Sequence, residues 1–412
     1  MKSISEQEYL SALAVLEHAK KSQVHLNMAR GKPSQAQIEL ANPMLETLRD
    51  GSDFLDSDGN DVRNYGLLEG ISECRELMGQ VLGVSKDNVI IYGNSSLHVM
   101  YEQISRSMTH GVLGSVPWSK LDKVKWLCPV PGYDRHFSIL EFFGIEMINV
   151  PMNEFGPDMD LIEELIQDES VKGIWCVPQY SNPTGITYSN EVVRRFARLN
   201  PKAKDFRIYW DNAYAVHHLH RDKQDHLLNI FDEALKVGNE DIVYMFASTS
   251  KVSFPGAGIA ALAASTPNLS QIKKQMGVST IGYDKINQLR HVRFFHDLDG
   301  LKRHIHRLSD IMLPKFELVE RVFDERLSGL DGVCWTKPNG GYFISLNVPG
   351  KAKQVIERCR ECGVVLTPAG ATYPYHRDPD NANIRIAPTY PDLKELAEAA
   401  EVLCAAIIVE MH

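Results

Sequence analysis

Short apolar runs alternate with amphipathic stretches through the middle of the chain. Seven runs have the length and composition of buried strands, and they span Val89–Tyr92, Val124–Val130, Glu146–Val150, Gly173–Val177, Arg207–Trp210, Ile242–Ala247 and Ile259–Ala264. Most intervening segments have the length and the apolar spacing of three and four that are typical of helices. Because strands that alternate with helices form parallel sheets covered on both faces, the pattern predicts an α/β fold with a mostly parallel, seven-stranded sheet flanked by helices.

The two ends of the chain carry a different pattern. Residues 6–22 predict a helix with Leu10, Leu13 and Leu16 on one face, and residues 285–325 predict one or two long helices. Two strand patterns and a final helical pattern follow, at Tyr342–Leu346, Asn383–Ala387 and Leu393–Val409. We therefore expect a large domain over residues 46–294 and a smaller α+β domain built from residues 1–45 and 295–412.

Composition and charge narrow the function classes. The 412 residues are 44% hydrophobic and 24% charged, which is typical of a globular protein. With a formal net charge of −9, the chain lacks the overall positive charge that is typical of nucleic-acid-binding proteins. No apolar run approaches the roughly 18 residues of a membrane span, and the seven scattered cysteines do not suggest a disulfide framework. We expect a cytoplasmic protein that binds no nucleic acid, membrane or metal.

Residues that follow the predicted strands are the first candidates for a site, because ligands of open α/β sheets bind beyond the carboxyl ends of the strands. Asn94, Ser95 and Ser96 follow Gly93 immediately before a predicted helix. A glycine turn with hydroxyl groups at a helix N-terminus offers N–H groups and a positive dipole end to a phosphate or carboxylate. The same residues taken alone are also compatible with an ordinary helix N-cap.

An aromatic ring and an amide follow two further strands. Tyr133 comes after Val124–Val130, where it would cover a planar ring or simply be buried at the strand end. Asn182 opens an Asn-Pro-Thr-Gly segment, which is a turn by its composition. If that turn faces the cleft, the Asn182 amide becomes a hydrogen-bond donor there.

Two charged residues end the strands that should lie at the centre of the sheet. Asp211 follows Arg207–Trp210, and a carboxylate there is costly to bury without a cationic partner. Lys251 follows Ile242–Ala247 after Ser248, Thr249 and Ser250. A Lys in a surface loop is the simpler interpretation, but desolvation would lower its pKa and make its amine a nucleophile.

One ligand accounts for these strand ends together. Pyridoxal 5′-phosphate has a phosphate, a flat ring, a phenolic oxygen, a ring nitrogen and an aldehyde, and it pairs in enzymes with a Schiff-base lysine and an acid at the ring nitrogen. The order of phosphate turn, aromatic ring, Asn turn, Asp and Lys therefore predicts this cofactor.

The motifs also resemble a known family. Arg-Gly-Lys-Pro at 30–33, Gly-Asn-Ser-Ser at 93–96, Asn-Pro-Thr-Gly at 182–185, Asp-x-Ala-Tyr at 211–214 and Ser-x-Ser-Lys at 248–251 occur in this order. In these motifs the chain resembles fold-type I pyridoxal-phosphate enzymes of the class I aminotransferase superfamily. It is most similar to the bacterial branch of aspartate aminotransferases that carries the first two motifs.

The resemblance implies a role for each matching residue. Lys251 would be the Schiff-base lysine, Asp211 the partner of the pyridinium nitrogen, and Tyr133 the residue stacked on the ring. Asn182 and Tyr214 would hydrogen-bond the phenolic oxygen. The positions that match the phosphate site are Asn94, Ser95, Ser96, Ser248 and Ser250. Tyr65 resembles a tyrosine that reaches the phosphate from a neighbouring subunit, which implies a homodimer with shared active sites.

Substrate recognition follows in the same way. Arg385 matches the arginine that binds the α-carboxylate of the substrate, together with Asn182, and a guanidinium suits a carboxylate in bidentate geometry. The implied reaction is a ping-pong transfer between L-aspartate and 2-oxoglutarate. For the distal carboxylate we consider the Arg30–Gly31 turn and Arg135 as candidates.

The sequence departs from the family pattern at one position. Many class I members have a phosphate-binding arginine eight residues after the Schiff-base lysine, and here that position is Ile259. Other groups must therefore neutralise the phosphate.

Alternative functions remain at this point. An aminotransferase of another substrate range, or a lyase or synthase with the same cofactor, would use the same residues. A transcription regulator is disfavoured because only about 45 residues precede the predicted large domain, without a basic helix-turn-helix pattern. A binding protein without a cofactor would not explain the occurrence of Lys251 and Asp211 together.

Overall fold

The computed structural model describes residues 4–22, 25–49 and 53–412. Its α-helices are α1 Glu6–Ser22, α2 Gln35–Glu39, α3 Ser72–Leu82, α4 Ser96–His110, α5 Asp134–Phe142, α6 Met159–Leu165, α7 Asn190–Ala197, α8 Ile230–Leu235, α9 Thr266–Ser279, α10 Lys285–Phe295, α11 Leu298–Leu327, α12 Ala352–Glu361 and α13 Leu393–Met411. Short 3₁₀ helices lie at Asn42–Glu46, Lys86–Asn88, Trp118–Lys120, Glu240–Ile242 and Pro374–His376. The strands are β1 Leu26–Asn27, β2 Val89–Tyr92, β3 Lys125–Val130, β4 Glu146–Asn153, β5 Gly156–Pro157, β6 Val171–Cys176, β7 Arg207–Asp211, β8 Val243–Ser248, β9 Ala260–Ala263, β10 Cys334–Trp335, β11 Ile344–Asn347, β12 Val364–Val365 and β13 Asn383–Ile386.

The central sheet has the order β2-β9-β8-β7-β6-β3-β4-β5. The pairs β4–β3, β3–β6, β6–β7 and β7–β8 are parallel, whereas β9 runs antiparallel to both of its neighbours. All seven predicted strands occur in it, and the predicted α/β fold class is confirmed. The eighth strand, β5, has two residues and extends the edge at β4, too short a segment to produce an apolar run.

Helices cover both faces of this sheet. Strands β2, β7 and β9 are buried along their whole length, which explains why they are apolar runs without the alternation of a half-exposed strand. Separate apolar clusters lie on the two faces, one with Ile174 and Trp210 and the other with Trp126 and Tyr209. The strand ends that carry the candidate residues are therefore held by a packed core.

The chain ends meet in a second layered unit. The sheet β10-β11-β13 and the pair β1-β12 pack with α1, α11, α12 and α13 around one apolar cluster. Helix α13 begins with a capping box between Asp392 and Glu395, and its alanine, leucine and isoleucine side chains are mostly buried. The proposed boundaries at 45/46 and 294/295 stay a prediction, and residues 1–3, 23–24 and 50–52 of those ranges lie outside the described part of the chain.

Helix α1 occupies the predicted residues, and only part of the predicted leucine face is buried. Ala12, Leu16 and Ala19 are buried, whereas Leu10 is 55% exposed. Leu10 stays exposed because the alanines, whose small side chains allow close approach to α13, lie at the centre of the buried stripe.

Candidate active site

The carboxyl ends of β3, β6, β7 and β8 open onto a cavity of about 380 Å³. Most sequence-predicted site residues line it: Arg30, Gly31, Ser95, Ser96, Tyr133, Asn182, Asp211, Tyr214, Ser248, Ser250, Lys251 and Arg385. Arg135, the second candidate for a distal carboxylate, lies on its wall. Asn94 and Tyr65 are not part of the lining. The Asn94 carbonyl accepts a hydrogen bond from Ser250 Oγ at 2.8 Å, while Tyr65 is 85% exposed on the surface.

Lys251 lies on the cavity wall, in the turn after β8. Burial lowers the pKa of its ammonium group, the nearby Asp211 carboxylate opposes that shift, and the Arg385 guanidinium adds to it. Its Nζ lies 5.0 Å from the centre of the Tyr214 ring and 5.8 Å from that of Tyr342. A lysine in these surroundings gives up its proton more readily than a surface lysine, which is what a nucleophilic amine requires.

Asp211, the last residue of β7, is a buried carboxylate with two different oxygens. Oδ2 accepts a hydrogen bond from His136 Nε2 at 3.0 Å, since an ionised carboxylate can only accept. Oδ1 is buried and has no partner among the described residues. A buried carboxylate oxygen without a donor is costly, so Asp211 is suited to a cationic N–H group bound in the cavity.

Sequence reasoning missed His136. It lies in the first turn of α5, and its ring stacks on Trp175 with 4.4 Å between the ring centres. The available signal was its position three residues after Tyr133, which places both side chains on one side of the helix start. His136 fixes the orientation of Asp211, so it belongs to the site although it is 1% exposed.

Hydroxyl groups gather at the far end of the cavity. Ser95 and Ser96 stand at the N-terminus of α4, and Ser248 Oγ donates to Ser250 Oγ at 3.1 Å. Ile259, eight residues after Lys251, is buried in the apolar cluster of the sheet. This end therefore offers N–H and O–H donors and the positive end of a helix dipole.

Arg385 projects from β13 and is held on several sides. Its Nη1 donates to Asp134 Oδ1 at 2.8 Å and to Asn182 Oδ1 at 3.3 Å, and its Nε donates to Thr367 Oγ1 at 3.3 Å. The guanidinium also lies over the Phe343 ring, 4.9 Å from the ring centre. It is thus a buried, oriented cation, and Asp134 is its anionic partner in the protein.

Tyr133 and Tyr214 line the same cavity as Arg385 and Asp211. Burial raises the pKa of Tyr133 to about 12 and raises that of Tyr214 well above its ordinary value. Both phenols therefore keep their protons at neutral pH and can donate hydrogen bonds.

Neither a membrane-spanning helix nor a metal site is found in the described ranges. No helix there combines the length and apolarity needed to cross a bilayer. Likewise, no group of three or more His, Cys, Asp or Glu residues could hold a metal ion.

Comparisons with known proteins agree on one family. The model of the family described as aspartate amino-transferase matches residues 4–411. An aspartate aminotransferase of Corynebacterium glutamicum is 44% identical over 392 residues, which cover 95% of this chain and 90% of the relative. The crystal structure of an aspartate transaminase from the same species superposes with a TM-score of 0.94 at 42% identity, covering 99% of this chain and 97% of the other.

A more distant structure shares the fold. An α-aminoadipate aminotransferase from Thermus thermophilus, solved with N-(5′-phosphopyridoxyl)-L-leucine, superposes with a TM-score of 0.76 at 20% identity. The superposition covers 96% of this chain and 94% of that one.

Proposed function

The chain belongs to the aspartate amino-transferase family, and on that premise we propose that it transfers the amino group of L-aspartate to 2-oxoglutarate. The products would be oxaloacetate and L-glutamate, formed in two half-reactions. The observation that carries the proposal is the position of Lys251, Asp211 and Arg385 around one cavity. We also propose that the chain belongs to the family branch with the motifs at 30–33 and 93–96.

The cofactor of this family is pyridoxal 5′-phosphate, and the residues present fit it. Asp211 Oδ1 is a buried acceptor without a partner, as a protonated ring nitrogen requires. The Lys251 amine has a lowered pKa, as capture of an aldehyde requires. When bound, the cofactor supplies an electron sink for the negative charge left when a substrate loses its α-proton.

We assign the chain's residues as follows. Lys251 would hold the cofactor aldehyde, and its free amine would move the α-proton of the substrate. Asp211 would keep the ring nitrogen protonated, and Tyr133 would cover the ring face. Tyr214 and Asn182 would donate hydrogen bonds to the phenolic oxygen. The phosphate would be held by the cluster of donors at Asn94, Ser95, Ser96, Ser248 and Ser250.

Arg385 would bind the α-carboxylate and so orient the Cα–H bond towards Lys251. Arg30, Gly31 and Arg135 lie on the cavity wall, where a cation would select a second carboxylate on the substrate. The exposed Tyr65 supports a homodimer in which Tyr65 of the partner subunit completes the phosphate site. The cysteines carry no disulfide, which supports a cytoplasmic location.

The visible spectrum of the purified holoenzyme tests the cofactor and the reaction together. L-Aspartate should shift the band of the lysine-bound cofactor to that of its aminated form, and 2-oxoglutarate should reverse the shift. Lys251→Ala should abolish turnover, whereas Lys172→Met should retain it, because Lys172 is a buried lysine paired with Asp205 at the opposite end of the sheet. Turnover without a keto acid would instead indicate an eliminating lyase.

Substrate range needs a separate measurement. The kcat/KM values for L-aspartate and L-alanine should be compared in Arg30→Ala and Arg135→Ala. If one of these arginines binds the distal carboxylate, its removal should reduce the preference of the enzyme for aspartate about tenfold or more. The reason is that a charged hydrogen bond contributes about 1.5–3 kcal/mol. If both variants keep the full preference, neither residue binds the distal carboxylate.

A further inference from the structure

We propose that Asp134 competes with the substrate for Arg385: its carboxylate pairs with the guanidinium, and a substrate carboxylate binds by displacing it. Asp134 would then set the affinity of the site for carboxylates. The inference rests on the proposed role of Arg385. It starts from the short ion pair between Asp134 Oδ1 and Arg385 Nη1, at 2.8 Å.

The hydrogens of Arg385 show why both carboxylates cannot bind well at once. Nη1 has two hydrogens, and these go to Asp134 and Asn182; the single hydrogen of Nε goes to Thr367. Nη2 has no acceptor within the described chain. A bidentate carboxylate needs two N–H groups on one edge of the guanidinium, and each edge that includes Nη2 is completed by Nη1 or Nε. Each of these two edges therefore contains a nitrogen that already donates to the protein, and only at Nη1 is one of the acceptors a competing carboxylate.

Burial explains why an acid stands there. The Arg385 side chain is 7% exposed, and a buried guanidinium without an anion is strongly unfavourable. Asp134 compensates this charge when no substrate carboxylate pairs with Arg385. A substrate carboxylate can take over the same task, so the exchange preserves the ion pair.

Asp134 is also placed to leave at low cost. Its side chain is 26% exposed, so rotation about its side-chain bonds brings the carboxylate into water. It is the first residue of α5, where the helix dipole favours a negative charge with or without Arg385. A ligand that lacks a carboxylate cannot replace Asp134 as the anionic partner of Arg385.

Binding of propionate to the holoenzyme tests the proposal by calorimetry. Propionate has one carboxylate and no amine, so it reports on Arg385 without reacting. Asp134→Asn should bind propionate about tenfold more tightly than the unmodified enzyme, a difference of about 1.4 kcal/mol. Asp134→Ser should show the same direction. The matched control is Asp168→Asn, which breaks a 2.5 Å ion pair with Lys125 at the far end of the sheet and should leave propionate affinity unchanged.

Thermal unfolding supplies a readout that is independent of turnover. Without ligand, Asp134→Asn should unfold at a lower temperature than the unmodified holoenzyme, and saturating propionate should raise its Tm more than that of the unmodified enzyme. If the substitution only destabilised the fold, the Tm without ligand and the Tm with propionate would fall by the same amount.

The outcomes separate this inference from the proposed function. Weaker or equal propionate binding by both Asp134 variants would overturn the inference, because Asp134 would then support Arg385 or be neutral to it. If Arg385→Ala also binds propionate as tightly as the unmodified enzyme, the assignment of Arg385 fails first. Loss of binding in Arg385→Ala with unchanged binding in the Asp134 variants would leave the proposed function intact and refute the competition.

Discussion

Replacing His136 with phenylalanine removes one hydrogen bond from Asp211 and keeps a flat ring against Trp175. In the structure, His136 Nε2 lies 3.0 Å from Asp211 Oδ2, and both side chains are almost completely buried. Bulk water therefore cannot replace the lost donor. A hydrogen bond to a charged group contributes about 1.5–3 kcal/mol, and the unpaired carboxylate oxygen adds a desolvation cost.

We expect this loss to appear mainly in kcat. Asp211 acts on the cofactor ring, whereas the substrate carboxylate is assigned to Arg385, so KM for aspartate should change little. A loss of about 2 kcal/mol in the transition state lowers kcat about 30-fold. Steady-state kinetics of the holoenzyme, with urea unfolding measured in parallel, separate this effect from a loss of folded protein.

His136→Gln is the matched variant, because its amide nitrogen can reach Asp211 while the ring is lost. It should recover most of the rate that His136→Phe loses. Equal kcat values for the two variants would show that the hydrogen bond from residue 136 to Asp211 does not determine the rate. A phenylalanine variant within about threefold of the unmodified enzyme would refute the magnitude worked out above.

Three further predictions follow from burial and close contact. Burial lowers the pKa of Lys251 below its ordinary 10.5, so at neutral pH the unfolded chain holds this proton more tightly than the folded, cofactor-free chain does. Lys251→Met should therefore raise the urea midpoint of the cofactor-free protein at neutral pH. This gain in stability should shrink as the pH approaches 10.5. Burial also lowers the pKa of His217 from 6.5 to about 3. Between pH 7 and 5, His217→Leu should therefore lose about 2 kcal/mol less stability than the unmodified protein, and equal losses in urea unfolding would contradict this. At Gly31 an added Cβ would lie 2.4 Å from Phe343 Cζ, and the Phe343 ring lies against Arg385. Gly31→Ala should therefore raise KM for the amino acid about tenfold with little change in Tm. An unchanged KM would show that the Phe343 ring moves aside without affecting Arg385.

Much of the fold follows from the sequence because the spacing of apolar residues is a local property, and it indicates which segments form buried strands and helices. The predicted run Val89–Tyr92 coincides with β2, and the predicted helix 6–22 coincides with α1. Two-residue strands could not be predicted from the sequence. Strands β1 and β12 pair with each other although they lie far apart along the chain, and two residues are too few to show a hydrophobic period.

The candidate site was accessible to the same reasoning in part. Asp211 and Lys251 follow apolar strands directly, and parallel strands bring their carboxyl ends to one edge of the sheet. That rule places such residues together without any knowledge of the strand order.

By itself, the sequence determined the longer strands, the main helices and the residues that end the strands, since each depends on neighbours along the chain. Tertiary structure alone decided which side chains meet. His136 and Asp211 are 75 residues apart, and Asp134 and Arg385 are 251 apart. Their contacts depend on a sheet order that differs from the chain order and on how the unit formed by the chain ends packs over the cavity, and no local periodicity encodes either.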